Sequence, residues 1–154
     1  LAIMTILADA CVFGQAKGGA SIKEGTWVWQ KDASTNVGSA DQLVSRVDVK
    51  KDLGNGEWQT CRKEVRVSGM KHDSCWKYKL DGKFYPVTDQ VFDQWAIVGY
   101  TPTVTLIHVK NTKNNLDQYS MMMYSADGKT TTSHTDGSGN TKNHIVAHYT
   151  YKKQ

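Results

Sequence analysis

The sequence lacks the local motifs that announce common chemistries. It has no Gly-x-Ser-x-Gly elbow, no cysteine and histidine at a known catalytic spacing, and no glycine-rich phosphate loop. Enzymes that depend on those signatures are thereby disfavoured, although a barrel can still assemble a site from distant strands. Beyond the first residues no run approaches the ~20 apolar residues that a membrane-spanning helix needs. Charge blocks are missing too. The net charge is only +4, and acids alternate with bases, as in Arg62-Lys63-Glu64-Val65-Arg66. That pattern reads as a solvated strand face and not as a nucleic-acid footprint, which gathers its charge in one place. No repeat and no linker divides the 154 residues, so one domain is expected.

Cysteine is scarce, with three in the chain. Cys61 and Cys75 are disulfide candidates in an exported protein. Their strand parity is ambiguous. Cys61 falls with Val65 and Val67, whereas Cys75 falls with Lys77 and Lys79. A simple hairpin turning at Ser68 to His72 puts the two on opposite faces, and a bulge would bring them together. The pairing stays open at this point.

What the sequence does have is period two, with five Trp and seven Tyr. Leu43, Ser45, Val47 and Val49 alternate with Val44, Arg46, Asp48 and Lys50, which predicts a strand with the first set buried. Trp76, Tyr78 and Leu80 form a second such set, and Ile145, Ala147, Tyr149 and Tyr151 a third. Val104 to Val109 is apolar on both faces, and Tyr119 to Tyr124 carries Met121, Met122 and Met123. Asn55-Gly56, Ser68-Gly69, Asp81-Gly82, Asp127-Gly128 and Asp136-Gly137-Ser138-Gly139 read as turns between strands. The expectation is an all-β domain, a single antiparallel up-and-down barrel of about eight to nine strands. One short helical piece is expected around Asp89 to Trp95.

The first residues differ. Leu1 to Ala8 is apolar, and Gly14-Gln15-Ala16 resembles the small-x-small site of a secretory signal peptide. Residues 1–16 are therefore expected to be a signal peptide cut short at its start, followed by the barrel domain at 17–154, in a secreted or periplasmic protein. The competing expectation is an N-terminal strand or helix packed on the domain.

Gly25-Thr26-Trp27 resembles the first strand of lipocalin-like barrels, in which the Trp closes the barrel bottom. Leu80-Asp81-Gly82-Lys83-Phe84-Tyr85-Pro86-Val87-Thr88 resembles a segment of small secreted bacterial lipocalin-like, calycin-type proteins. Ser125 to Thr130 and Asn143 to Lys152 resemble that family's last hairpin. The resemblance covers nearly all of the chain after Gly25 and implies fold. It brings no catalytic residues with it.

Barrels of about eight strands leave room for one small ligand. The expected partner is thus a small apolar or aromatic molecule, bound without turnover. The expected lining is Trp27, Val47, Trp76, Tyr78, Leu106, His108, Met121, Tyr149 and Tyr151. Met suits adaptable apolar sites, and Tyr brings a hydroxyl on a large ring. For each residue, ordinary core packing competes with a role in binding. No cofactor and no metal are expected. His144 and His148 lie four apart, roughly 13 Å along a strand at about 3.3 Å per residue, too far for one ion. His108 and His134 could reach either from neighbouring strands. Two other readings stay open: a cyclase, isomerase or hydratase with His108 or His144 as acid/base, and a structural or interaction protein with a packed barrel.

Overall fold

The structure, a computed structural model, describes residues 22–37, 42–88, 91–139 and 144–154. Residues 1–16, where the signal peptide is expected, lie outside that set. The period-two segments are strands: β1 (Gly25–Trp29), β2 (Thr35–Val37), β3 (Leu43–Gly54), β4 (Glu57–Arg66), β5 (Lys71–Lys79), β6 (Asp81–Pro86), β7 (Gln94–Thr101), β8 (Val104–Lys110), β9 (Asp117–Tyr124), β10 (Thr130–Ser138) and β11 (His144–Lys153). Every ladder is antiparallel. The fold is all-β, with eleven strands among the described residues instead of eight or nine.

Two local readings account for part of the difference. Asp81-Gly82 does not end a strand; it sits in an irregularity of β6 between the pairs Asp81↔Val98 and Phe84↔Ala96. Thr35–Val37, too short for a periodic signal, pairs with β11. The expected helix at Asp89 to Trp95 is not formed in its described part. Asp93 N–H donates to the Lys110 carbonyl, and Gln94 and Trp95 open β7, so this backbone is already extended against β8. Asp136-Gly137-Ser138 is likewise no turn but the end of β10. There Gly137, with φ 149°, passes so close to Asp117 that a Cβ would lie 2.2 Å from its carbonyl oxygen. Asn55-Gly56 does form a hairpin turn, with φ 52° and 75°, the positive pair that a type I′ turn requires.

The strand order is β5-β4-β3-β1-β11-β10-β9-β8-β7-β6, with β2 beside β11. This is an up-and-down meander in which β1 pairs with the last strand, and the sheet curls into a nearly closed barrel. The two ends of the path, β5 and β6, are consecutive in the chain, with Leu80 between them. They touch, but they share no ladder among the described residues.

The faces of the strands decide what the barrel contains. On β11 the inward set is the expected one, with Ala147 and Tyr151 buried. On β3 it is reversed: Arg46, Asp48 and Lys50 are buried, and Val47 and Val49 lie on the outward face. The cause is a register shift between Leu43 and Ser45, which leaves Leu43 buried and changes the parity of every residue after it. On β8 and β9 the buried residues are Thr105, Ile107, Val109, Met122 and Tyr124.

Candidate functional site

The β3–β4 hairpin carries the site. Folding about Asn55-Gly56 places Arg46 opposite Glu64 and Asp48 opposite Arg62. Opposite charges directly across a ladder attract, and here both pairs point inward. Arg46 Nε donates to Glu64 Oε2 at 2.7 Å, and Arg46 Nη1 donates to the Tyr151 hydroxyl at 2.9 Å. Arg66 Nε lies 2.6 Å from Glu64 Oε1. Arg62 forms a two-pronged pair with Asp48, Nε to Oδ1 at 2.8 Å and Nη2 to Oδ2 at 2.9 Å. Lys50 Nζ donates to the Tyr124 hydroxyl at 2.9 Å and to Met122 Sδ at 3.3 Å.

The protonation states follow from burial and charge. Burial pushes the Glu64 carboxyl up, but the guanidiniums of Arg46, Arg62 and Arg66 outweigh it and hold the group down at about 2. The Asp48 carboxyl is also held below its ordinary range, because Arg62 outweighs the effect of burial. Burial pushes the Lys50 ammonium down, and the oxygens of Tyr124, Tyr78 and Asp48 more than offset this, so it stays charged. Burial raises the Tyr78 hydroxyl to about 12. Among the described residues the wall holds Arg46, Lys50 and Arg62, with Arg66 at its edge, beside the carboxylates Asp48 and Glu64.

Beside this wall lies a cavity of about 10 Å³, roughly one water-sized sphere. Asp48, Lys50, Thr60, Arg62 and Tyr78 line one side of it. Trp95, Ile97, Ile107 and Met122 line the other. Where β5 and β6 share no ladder, side chains close the interior. Trp76 and Trp95 have ring centroids 5.2 Å apart, Phe92 packs on both, and Tyr78 lies 6.1 Å from Trp95. The indole N–H groups of Trp76 and Trp95 are buried and meet no acceptor among the described residues.

The structure divides the expected lining. Trp76, Tyr78 and Tyr151 are buried inside, and Tyr149 lies partly buried, its ring 5.3 Å from the Arg46 guanidinium. Trp27 is fully buried; its N–H donates to the Lys23 carbonyl, and Lys50 and Lys153 approach its ring. Leu106 and Met121 face outward, each about 40% exposed and paired across β8 and β9. His108 shares that outer face, its Nε2 2.6 Å from Asp117 Oδ1 and its ring stacked on Tyr119. Val47 is outward as well. These four are corrections: where a strand is apolar on both faces, alternation alone does not say which face turns in.

His144 is exposed beside Asp136, so neither proposed acid/base histidine meets the cavity. His134 pairs with His148 on the outer face. Among the described residues no three His, Cys, Asp or Glu gather as metal ligands. Cys61 and Cys75 are cross-strand partners joined by a disulfide, with Cα atoms 4.0 Å apart. The parity obstacle disappears because the inward face of β4 is Trp58, Thr60 and Glu64, which leaves Cys61 and Val65 on the other face with Cys75.

Sequence reading missed Arg46, Asp48, Lys50, Arg62 and Glu64. A signal was present: Arg-x-Asp before and Arg-x-Glu after an Asn-Gly turn, complementary once the hairpin closes with its register shift between Asp52 and Gly54. No family model and no curated protein matches this chain.

Proposed function

We propose that the barrel binds a small amphipathic molecule without turning it over. The observation that carries this reading is the charged inner wall. Burying ions costs several kcal/mol each unless they are paired, and an apolar core of equal volume is often at least as stable. Among the described residues Arg46 and Arg66 share Glu64 and Arg62 takes Asp48, which leaves Lys50 as a buried cation with no carboxylate at ion-pair distance. An amphipathic molecule supplies what both walls lack, a polar end for Lys50 and Arg62 and an apolar body against Trp95, Ile97 and Ile107. The stretch between β5 and β6 offers a route in, since only side chains close it. The lipocalin-like resemblance and an extracytoplasmic location are consistent with this reading and form part of the proposal.

Native mass spectrometry of the protein from its own source tests it: a bound species of a few hundred daltons is the expected result. The small cavity favours a second reading, a packed barrel with a structural or interaction role. Under that reading the purified protein carries nothing, and no apolar fluorescent probe quenches its tryptophans.

A further inference from the structure

We infer that the cavity beside Lys50 is an anion site, taking either a halide or the carboxylate end of an amphipathic molecule. The second occupant rests on the binding function proposed above; the first does not. The argument starts from donors. An ammonium has three N–H groups, and Lys50 uses one on the Tyr124 hydroxyl and one on the weak acceptor Met122 Sδ. Its third meets no hydrogen-bond acceptor among the described residues, only the faces of the Trp27 and Tyr124 rings at 5.7 and 5.4 Å. Trp95, on the opposite side of the same cavity, has a buried N–H with no acceptor.

Charge supplies the second line. Of the ions at the cavity, Asp48 is occupied on both oxygens by Arg62, which leaves Lys50 without a carboxylate at ion-pair distance. The cavity wall thus carries one net positive charge, from Lys50 and Arg62 against Asp48. A water would meet the loose donors but not the charge. An anion meets both. The space now holds about one small sphere, and a carboxylate enters by displacing Met122, whose unbranched side chain adapts readily.

The test compares the intact protein with Lys50→Met. The substitution keeps an apolar stem of similar length and removes a buried charge, so the fold is expected to survive. Thermal unfolding is followed with sodium chloride, with decanoate below its micellar concentration, and with decanol. A ligand at about a hundredfold above its dissociation constant raises Tm by roughly 5–10 °C in a protein of this size. The expected result is such a rise with chloride or decanoate in the intact protein, lost in Lys50→Met, and a weaker effect of decanol. Chloride alone acting through Lys50 upholds the anion site and removes the amphipathic ligand. Decanoate and decanol acting equally, with Lys50→Met unchanged, overturns the anion site and keeps the binding function. No rise in Tm with any of the three in either protein overturns both and leaves the cavity to water. Should Lys50→Met not fold, Lys50→Gln retains a donor toward Tyr124 without the charge. The preference of the intact protein for decanoate over decanol decides independently of either variant.

Discussion

The two walls of the barrel are built from opposite materials. Strands β3 to β5 turn Arg46, Asp48, Lys50, Arg62 and Glu64 inward, whereas β7 to β9 turn Trp95, Ile97, Ile107, Val109 and Met122 inward. The apolar wall is stabilised by area removed from water, which needs no partner group and little geometry. The charged wall is stabilised only while each ion keeps its counterpart. The comparison teaches where the molecule is brittle. Loss of one residue from the apolar wall leaves a cavity; loss of one member of an ion pair from the charged wall leaves a buried charge.

The largest expected effects separate these two kinds of failure. Glu64→Ala strands Arg46 and is expected to cost about 3–5 kcal/mol. Trp95→Ala is expected to cost a similar 3–5 kcal/mol through the cavity it leaves. The walls part company under double replacement. Asp48→Leu with Arg62→Met removes a whole pair and is expected to be neutral or stabilising by about 1–4 kcal/mol, whereas no second change of like size rescues Trp95→Ala. Urea denaturation of the four proteins measures this. A double variant less stable than the intact protein by more than about 1 kcal/mol would mean that the pair contributes net stability and that the contrast is wrong.

Acid probes the charged wall alone. Glu64 sits at about 2 in the folded protein, below the 4.5 of a free carboxyl. A depressed carboxyl stabilises the fold above its unfolded value and loses that contribution as pH falls through the folded one. Stability should therefore drop between about pH 4.5 and 2, by on the order of 3 kcal/mol from this group. Asp48, also depressed, adds to the loss in the same direction. Glu64→Gln should flatten the profile in that window, and Ile107→Val should not change its shape.

The disulfide ties the charged wall from behind. Cys61 and Cys75 lie on the far side of the strands that carry Arg62 and Trp76, 14 residues apart in sequence. A loop of that length is expected to contribute about 2–3 kcal/mol, mainly by restricting the unfolded chain. Reduction should lower the unfolding free energy measured in urea by that amount while the charged wall keeps its pH profile. A changed profile would mean that the bridge holds the Asp48–Arg62 and Arg46–Glu64 pairs in place.

Much of the fold was legible because period two survives any uncertainty about faces. Leu43 to Lys50, Trp76 to Leu80, Val104 to Val109, Tyr119 to Tyr124 and His144 to Tyr151 all fall on or against observed strands. The site was far less legible, for two physical reasons. A bulge between Leu43 and Ser45 changes parity without any glycine to mark it, so Arg46, Asp48 and Lys50 read as the wet face. Charged residues are also placed outside by default, and that default fails only when partners meet across a ladder, as Arg62 and Glu64 do here. Tyr78 and Tyr151 were found because large rings are expected inside whichever partners they have.

The smallest expected effect is the sharpest check on facing. Met121 and Met122 are neighbours with the same side chain, and the strand turns them to opposite sides. Met122 is 8% exposed, lines the cavity with Lys50, and accepts a hydrogen bond from the ammonium. Met121 is 40% exposed and stands beside Leu106 on the outer face. Met122→Ala should cost about 2–5 kcal/mol, the range for truncating a buried methionine, and should alter probe binding. Met121→Ala should stay within about 0.5 kcal/mol and leave binding untouched. Composition, propensity and chain position are the same for both, so a difference of this size can come only from which face looks into the barrel. Reversed effects at the two positions would mean that β9 turns Met121, not Met122, into the barrel.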